Sequence, residues 1–131
     1  GDLDRVDQQK KTMGPDFIQL SGEDGTALEF NLRGGVGCIS VTANVAPKLC
    51  SEFQEASTAK NNSNLIAKAN EINDKLMPLH KSLFIESNPS PVKYAASLLK
   101  LCSDEVRLPL VKITEETKKS VKSAMSHANL I

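Results

Sequence analysis

Phe17-Ile18-Gln19-Leu20-Ser21-Gly22-Glu23-Asp24, followed after one helical pattern by Gly34-Gly35-Val36-Gly37-Cys38-Ile39-Ser40-Val41-Thr42-Ala43-Asn44, is the stretch that decides the fold. Phe17 to Leu20 is a short apolar run ended by Ser21-Gly22, which predicts a buried strand. From Asp24 to Leu32, the residues Ala27, Leu28 and Leu32 share one helical face. Glu23 and Asp24 sit near the positive end of that helix, and Gly34-Gly35 closes it. Gly37 to Val41 predicts a second short strand. Pro47 then falls in the first turn of a further helix, with Leu49, Cys50 and Phe53 on its apolar face. Strand, loop, helix, strand, loop, helix with short connections implies right-handed βαβ units, a parallel sheet and the α/β class. Two strands do not stabilise such a sheet by themselves, because both edges leave backbone groups unpaired.

On the N-terminal side, Leu3, Val6 and Met13 fall near helical spacing, with Asp2 as N-cap and Gly14-Pro15 as the stop. On the C-terminal side the character changes after Ser57. Asn61-Asn62-Ser63-Asn64 is polar punctuation, and Leu65, Ala69, Ile72, Leu76, Leu79 and Leu83 then mark a long amphipathic helix in which Pro78 is expected to introduce a bend. Asn88-Pro89-Ser90-Pro91 restarts a helix whose face is Val92, Ala95, Leu98, Leu99 and Cys102. After a loop around Leu108-Pro109-Leu110, Thr114 caps a last helix. Glu115 and Glu116 occupy its first turn, Val121, Ala124, Met125 and Ala128 point inward, and Lys118, Lys119 and Lys122 form a solvated face. The organisation expected is an α/β part over residues 1–60 and a helical extension over residues 61–131.

Lys+Arg and Asp+Glu are equal at 16 each among 131 residues, so the formal net charge is zero. That balance argues against a nucleic-acid partner, which phosphate neutralisation would require, and against a polybasic membrane-surface protein. With four Phe, one Tyr and no Trp, a platform of stacked rings is hard to assemble. No apolar run reaches the roughly 18 residues of a membrane span, and no signal peptide pattern is visible, so a cytoplasmic location is expected. The chain starts at Gly1 without a Met, and the reading is that Gly1 is an internal residue of a longer protein.

Cys38, Cys50 and Cys102 are odd in number and widely spaced, which predicts reduced and mostly buried thiols, not a disulfide framework or zinc site. His80 and His127 lie far apart in helical patterns, so no metal site is expected. Gly34-Gly35-Val36-Gly37 precedes a strand and cannot cradle a phosphate. Ser40 lacks a nucleophile-elbow pattern, and no Ser-His-Asp or Cys-His arrangement follows from local spacing. Asn61-Asn62-Ser63 matches a glycosylation acceptor by chance. What remains is the turn Ser21-Gly22-Glu23-Asp24 and the polar strand end Ile39 to Asn44. Both fall at C-terminal strand ends, where parallel α/β folds bind ligands.

Phe17 to Val45, then Leu76-Met77-Pro78-Leu79-His80, Asn88-Pro89-Ser90-Pro91-Val92-Lys93 and Arg107-Leu108-Pro109-Leu110, closely resembles the C-terminal part of the dihydrodipicolinate synthase family. The resemblance implies a (β/α)8 barrel whose last two strands are Phe17 to Ser21 and Cys38 to Val41, followed by a helical extension. A complete barrel of this kind needs about 250 residues, well beyond 131. The implied activity is condensation of pyruvate with L-aspartate-4-semialdehyde, at the entry to diaminopimelate and lysine. It proceeds through a Schiff base on an active-site lysine, with no cofactor and no metal, commonly in a homotetramer. The resemblance places Ile39 against the bound keto acid through its main chain and puts Gly22 in the same pocket. Glu23 stands where the family more often has Asp. The family's catalytic lysine, tyrosine and threonine precede the matching segment, so no catalytic residue is expected in this chain, and the isolated piece is expected to be inert. Leu3 is a candidate interface residue. The alternatives are another pyruvate-dependent aldolase, such as N-acetylneuraminate lyase, or a non-catalytic helical interaction module.

Overall fold

The computed structural model describes residues 1–59 and 62–131. Asn61, and with it the chance glycosylation match and the expected boundary at 60/61, lies outside the described residues. Helix α1, Asp4–Met13, carries Asp4 and Asp7 in its first turn and Lys10 and Lys11 in its last, charges that complement the helix dipole. Asp2 Oδ1 accepts the Asp4 N–H at 3.1 Å, and Gly14 ends the helix at φ 93°, a conformation that glycine adopts without steric cost.

The two predicted strands are reduced to a single parallel bridge between Ser21 and Cys38. Around it, Val36 N–H donates to Gln19 C=O (3.1 Å), Ser21 N–H to Gly37 C=O (2.9 Å) and Ile39 N–H to Ser21 C=O (2.8 Å). These bonds step between the two segments as in a parallel ladder. The burial also differs from the expected apolar strand. Gln19 is the buried residue, while Ile18 and Leu20 are 72% and 54% exposed. Successive side chains of an extended segment take opposite faces. Gln19 therefore faces α1, where its Nε2 donates to Val6 C=O at 3.1 Å, and its apolar neighbours face away and stay more than half exposed.

A 3₁₀ turn over Asp24–Thr26 leads into the short helix α2, Ala27–Leu32. Ala27 and Asn31 are its buried residues, whereas Leu32, expected inward, is 52% exposed. Six helical residues make fewer than two turns, so Ala27 and Asn31, one turn apart, claim the inner face. Arg33 joins Glu29 on α2 to Asp4 and Asp7 on α1. Gly35 closes the connection: a Cβ there would stand 2.9 Å from Phe30 O and would overlap the Phe30 ring.

After a 3₁₀ turn over Thr42–Asn44, α3 spans Pro47–Thr58 with Pro47 in its first turn. Helix α4 spans Ser63–Ser82 and runs past Pro78 as one continuous element, with Asn62 capping it by accepting from Leu65 N–H. Helix α5 spans Ser90–Leu98 and α6 spans Glu115–His127. Thr114 caps α6 by accepting from Thr117 N–H at 3.3 Å. It also donates its hydroxyl to Glu86, which in turn accepts the Thr114 N–H. Both late helices end on a left-handed residue, Lys100 and Asn129, followed by Leu101 N–H to Ala96 C=O and Leu130 N–H to Met125 C=O, the Schellman closure. The chain therefore leaves the α5 axis before Cys102, which is exposed and not on the apolar face.

The core is one apolar cluster. Ala69, Leu76, Leu79 and Leu83 of the α4 stripe meet Phe53 and Ala56 of α3, Ala95 of α5, and Val121 and Met125 of α6. Burying each of the larger side chains contributes about 1.5–3 kcal/mol. The helical packing thus carries the fold and supports the paired segments from one side. Among the described residues, no helix is long and apolar enough to cross a membrane.

Candidate functional site

The bonds that pair Phe17–Ser21 with Val36–Ile39 place two turns side by side. At the first, Ser21 Oγ accepts the Glu23 N–H at 3.0 Å and donates to Glu23 C=O at 3.1 Å. Glu23 Oε1 accepts the Gly25 N–H at 3.1 Å. Gly22, at the tip, has no heavy atom within 4 Å of the position a Cβ would take. It borders an open groove of about 510 Å³ whose other walls include Leu20, Glu23, Thr26, Phe30 and Arg5. Ile39 is 73% exposed, and its N–H is bonded to the carbonyl of Ser21, the residue before Gly22. The structure therefore brings Gly22 and Ile39 together at neighbouring segment ends, although Ile39 does not line the groove on which Gly22 sits.

Behind the two turns lies a buried polar cluster. Asp24 is 6% exposed. Its Oδ2 accepts N–H bonds from Val41 (2.9 Å) and Thr42 (3.2 Å), and its Oδ1 lies 3.9 Å from Cys38 Sγ. Thr42 Oγ1 is 2.7 Å from His80 Nδ1 on α4. Ser40 Oγ accepts the Ala43 N–H at 2.8 Å. Asp24, Cys38, Ser40, Cys50 and His80 border a cavity of about 240 Å³ floored by Phe53 and Leu76.

The electrostatics of the cluster follow from burial. Removal from water, with the Asp24 charge adding to it, pushes the Cys38 thiol up to about 12. Burial likewise pushes the Cys50 thiol up to about 11. Both are protonated at neutral pH and neither is a thiolate nucleophile. Burial also lowers His80 below its ordinary value, against the opposing pull of Asp24 and Glu23, so the ring is neutral and hydrogen-bonds as imidazole. The expectation of mostly buried thiols fits Cys50 best, since Cys38 is half-buried and Cys102 exposed. Among the described residues, no group of three or more His, Cys, Asp or Glu side chains is placed to hold a metal ion. Tyr94 lies on α5, beneath Lys118 Nζ at 5.8 Å from its ring centre and remote from both turns in sequence.

The match to known proteins spans nearly the entire chain. Residues 1–128 fit the Dihydrodipicolinate synthetase family. The chain belongs to that family. Among dihydrodipicolinate synthetase relatives, the 4-hydroxy-tetrahydrodipicolinate synthase of Pelagibacter ubique is 65% identical over 131 residues, which is all of this chain and 44% of that protein. The synthase of Ruegeria pomeroyi is 57% identical over the same span, again 44% of its length. In three dimensions the chain superposes on Thermotoga maritima dihydrodipicolinate synthase with a TM-score of 0.89 at 36% identity, covering 99% of this chain and 44% of that one. It superposes equally on the chloride-inhibited Acinetobacter baumannii dihydrodipicolinate synthase complexed with pyruvate, with a TM-score of 0.89 at 37% identity, covering 99% and 43%. The chain thus spans less than half the length of the relatives it matches.

Asp24 and Thr42 fall within the two stretches that the sequence marked as the ligand side, without a role of their own there, and His80 was given none. Asp24 was visible as an acidic residue at a strand end. Thr42 and His80 are 38 residues apart, a pairing that no local pattern announces.

Proposed function

We propose that the chain supplies two strand ends and the helical extension of a full-length 4-hydroxy-tetrahydrodipicolinate synthase, a Schiff-base-forming lyase with a β/α barrel. The carrying observation is the family match across residues 1–128. Pyruvate and L-aspartate-4-semialdehyde are the proposed substrates. The superposable Acinetobacter baumannii synthase was solved with pyruvate, which supports the first of them. A lysine outside this chain forms an iminium with the pyruvate carbonyl. That iminium draws electrons from the methyl group, which loses a proton and attacks the aldehyde.

Within this chain, the Ile39 main chain and Gly22 are the proposed pyruvate contacts. Their support is geometric. They lie at adjacent segment ends beside the parallel bridge between Ser21 and Cys38, and the bare Cα of Gly22 faces open space. No catalytic residue is proposed for the chain, and no cofactor or metal. A cytoplasmic homotetramer, with Leu3 in an interface, completes the reading.

Borohydride trapping with labelled pyruvate tests this proposal. The full-length enzyme should gain covalent label and the 131-residue chain should gain none. Label on the isolated chain overturns its inertness, and an unlabelled full-length protein overturns the function.

A further inference from the structure

We propose that Asp24 is a positioning residue, whose buried carboxylate fixes the backbone of the turn that presents the Ile39 main chain to a bound keto acid. This rests on the functional reading above and extends it to a residue which that reading leaves unused.

A carboxylate is costly to bury unless it is well bonded, and Asp24 is 6% exposed. Its bonds are directed at one place. Oδ2 receives the consecutive N–H groups of Val41 and Thr42, at 2.9 and 3.2 Å. Oδ1 faces the side chain of Cys38 at 3.9 Å. A single carboxylate therefore grips the chain on both sides of Ile39-Ser40. Two successive amides aimed at one anion form a shallow nest, and bonds to an ionised acceptor are stronger than neutral ones.

The remaining contacts make the turn a unit. Ser40 Oγ accepts from Ala43 N–H, Ala46 N–H donates to Thr42 C=O at 2.9 Å, and the Thr42 hydroxyl meets His80. Ile39 itself is held only lightly. Its side chain is 73% exposed and its N–H bonds Ser21 C=O. Among the described residues no backbone N–H is bonded to its carbonyl. The direction of that carbonyl is consequently set by the backbone that follows it, which Asp24 holds.

The experiment compares wild type, Asp24→Asn and Asp24→Ala in the full-length enzyme. The readouts are kcat, the pyruvate KM, and amide hydrogen exchange. Asp24→Asn keeps one acceptor, so kcat per folded molecule should fall about ten-fold. Asp24→Ala keeps none and should fall about a hundred-fold, the scale that a displacement near 1 Å produces in a positioned group. Exchange should quicken at the Val41 and Thr42 amides while Leu76 and Leu79 in α4 keep wild-type protection. If both variants stay within about two-fold of wild type in kcat, the proposal fails. It also fails if lost activity is matched by faster exchange throughout α4, because Asp24 would then be a general support of the fold. Should Asp24→Ala not fold, Asp24→Asn decides by the same criteria. A wild type that traps no pyruvate defeats the functional reading. A wild type that traps pyruvate while both Asp24 variants stay within about two-fold of its kcat defeats only the role of Asp24.

Discussion

Replacing Thr42 by valine removes one hydroxyl and almost no volume, which makes it a clean probe of the buried cluster. Thr42 is completely buried and His80 nearly so, and their side chains meet at 2.7 Å. Because valine fills the same space, the cost is that of leaving His80 Nδ1 without a partner in the interior. An unsatisfied buried group costs about 1–3 kcal/mol, roughly twice the net gain from making an ordinary hydrogen bond. Thr42→Val should therefore destabilise the full-length enzyme by about 1–3 kcal/mol, measured as a shift of the urea midpoint with an unchanged slope. The measurement belongs well above pH 6.5, the ordinary value from which His80 is lowered. A double-mutant cycle with His80→Leu sharpens the test. Once the ring is gone nothing is left unpaired, so the two changes together should cost less than their sum by about 1 kcal/mol or more. If the single effects add to within about 0.5 kcal/mol, the pair does not couple and the reasoning is wrong.

Leu79→Ala empties a site of 0% exposure in α4 and should cost about 2–5 kcal/mol, whereas Lys122→Ala on the solvated face of α6 should stay within about 0.5 kcal/mol; paired urea titrations check both. His80 gives a pH prediction. Burial holds its folded-state value below 6.5, so the unfolded chain takes up the proton first as pH falls. The stability owed to the neutral ring is thus complete above pH 6.5 and declines below it. His80→Gln should remove that part of the slope, and an unchanged slope would show that another group is responsible.

The helical half was legible because its signals are local. The α4 stripe from Leu65 to Leu83, the Thr114 cap with Glu115 and Glu116, and the inward set Val121, Ala124, Met125 and Ala128 all depend on spacing within one helix, and the structure buries the stripe and the inward set almost throughout. The strands were legible in place but not in extent. Their direction survives in the parallel bridge between Ser21 and Cys38, but extended segments become strands only when paired along their length, and here each has one neighbour. The same lack explains why Ile18, Leu20 and Val36 stand exposed. Cys102 was misplaced because the pattern of α5 continues in sequence after the left-handed turn at Lys100 has ended the helix. Gly22 and Ile39 came from resemblance to a family, and spacing alone marked only the turns that hold them. The Asp24, Thr42 and His80 cluster depends on contacts between distant segments, which only the folded chain displays.

The apolar cluster has one more consequence, for the order of events when the chain folds. Nearly all of its members come from Val45 onward, on four helices that follow one another in sequence, while the paired extended segments contribute no buried member. The bridge between Ser21 and Cys38 and the packing of α3 on α4 close short loops, whereas α6 reaches α4 across the whole of α5. Local contacts form quickly and distant ones slowly. The docking of α6 onto α4, which buries Val121 and Met125, therefore closes a long stretch of chain and belongs with the slower steps.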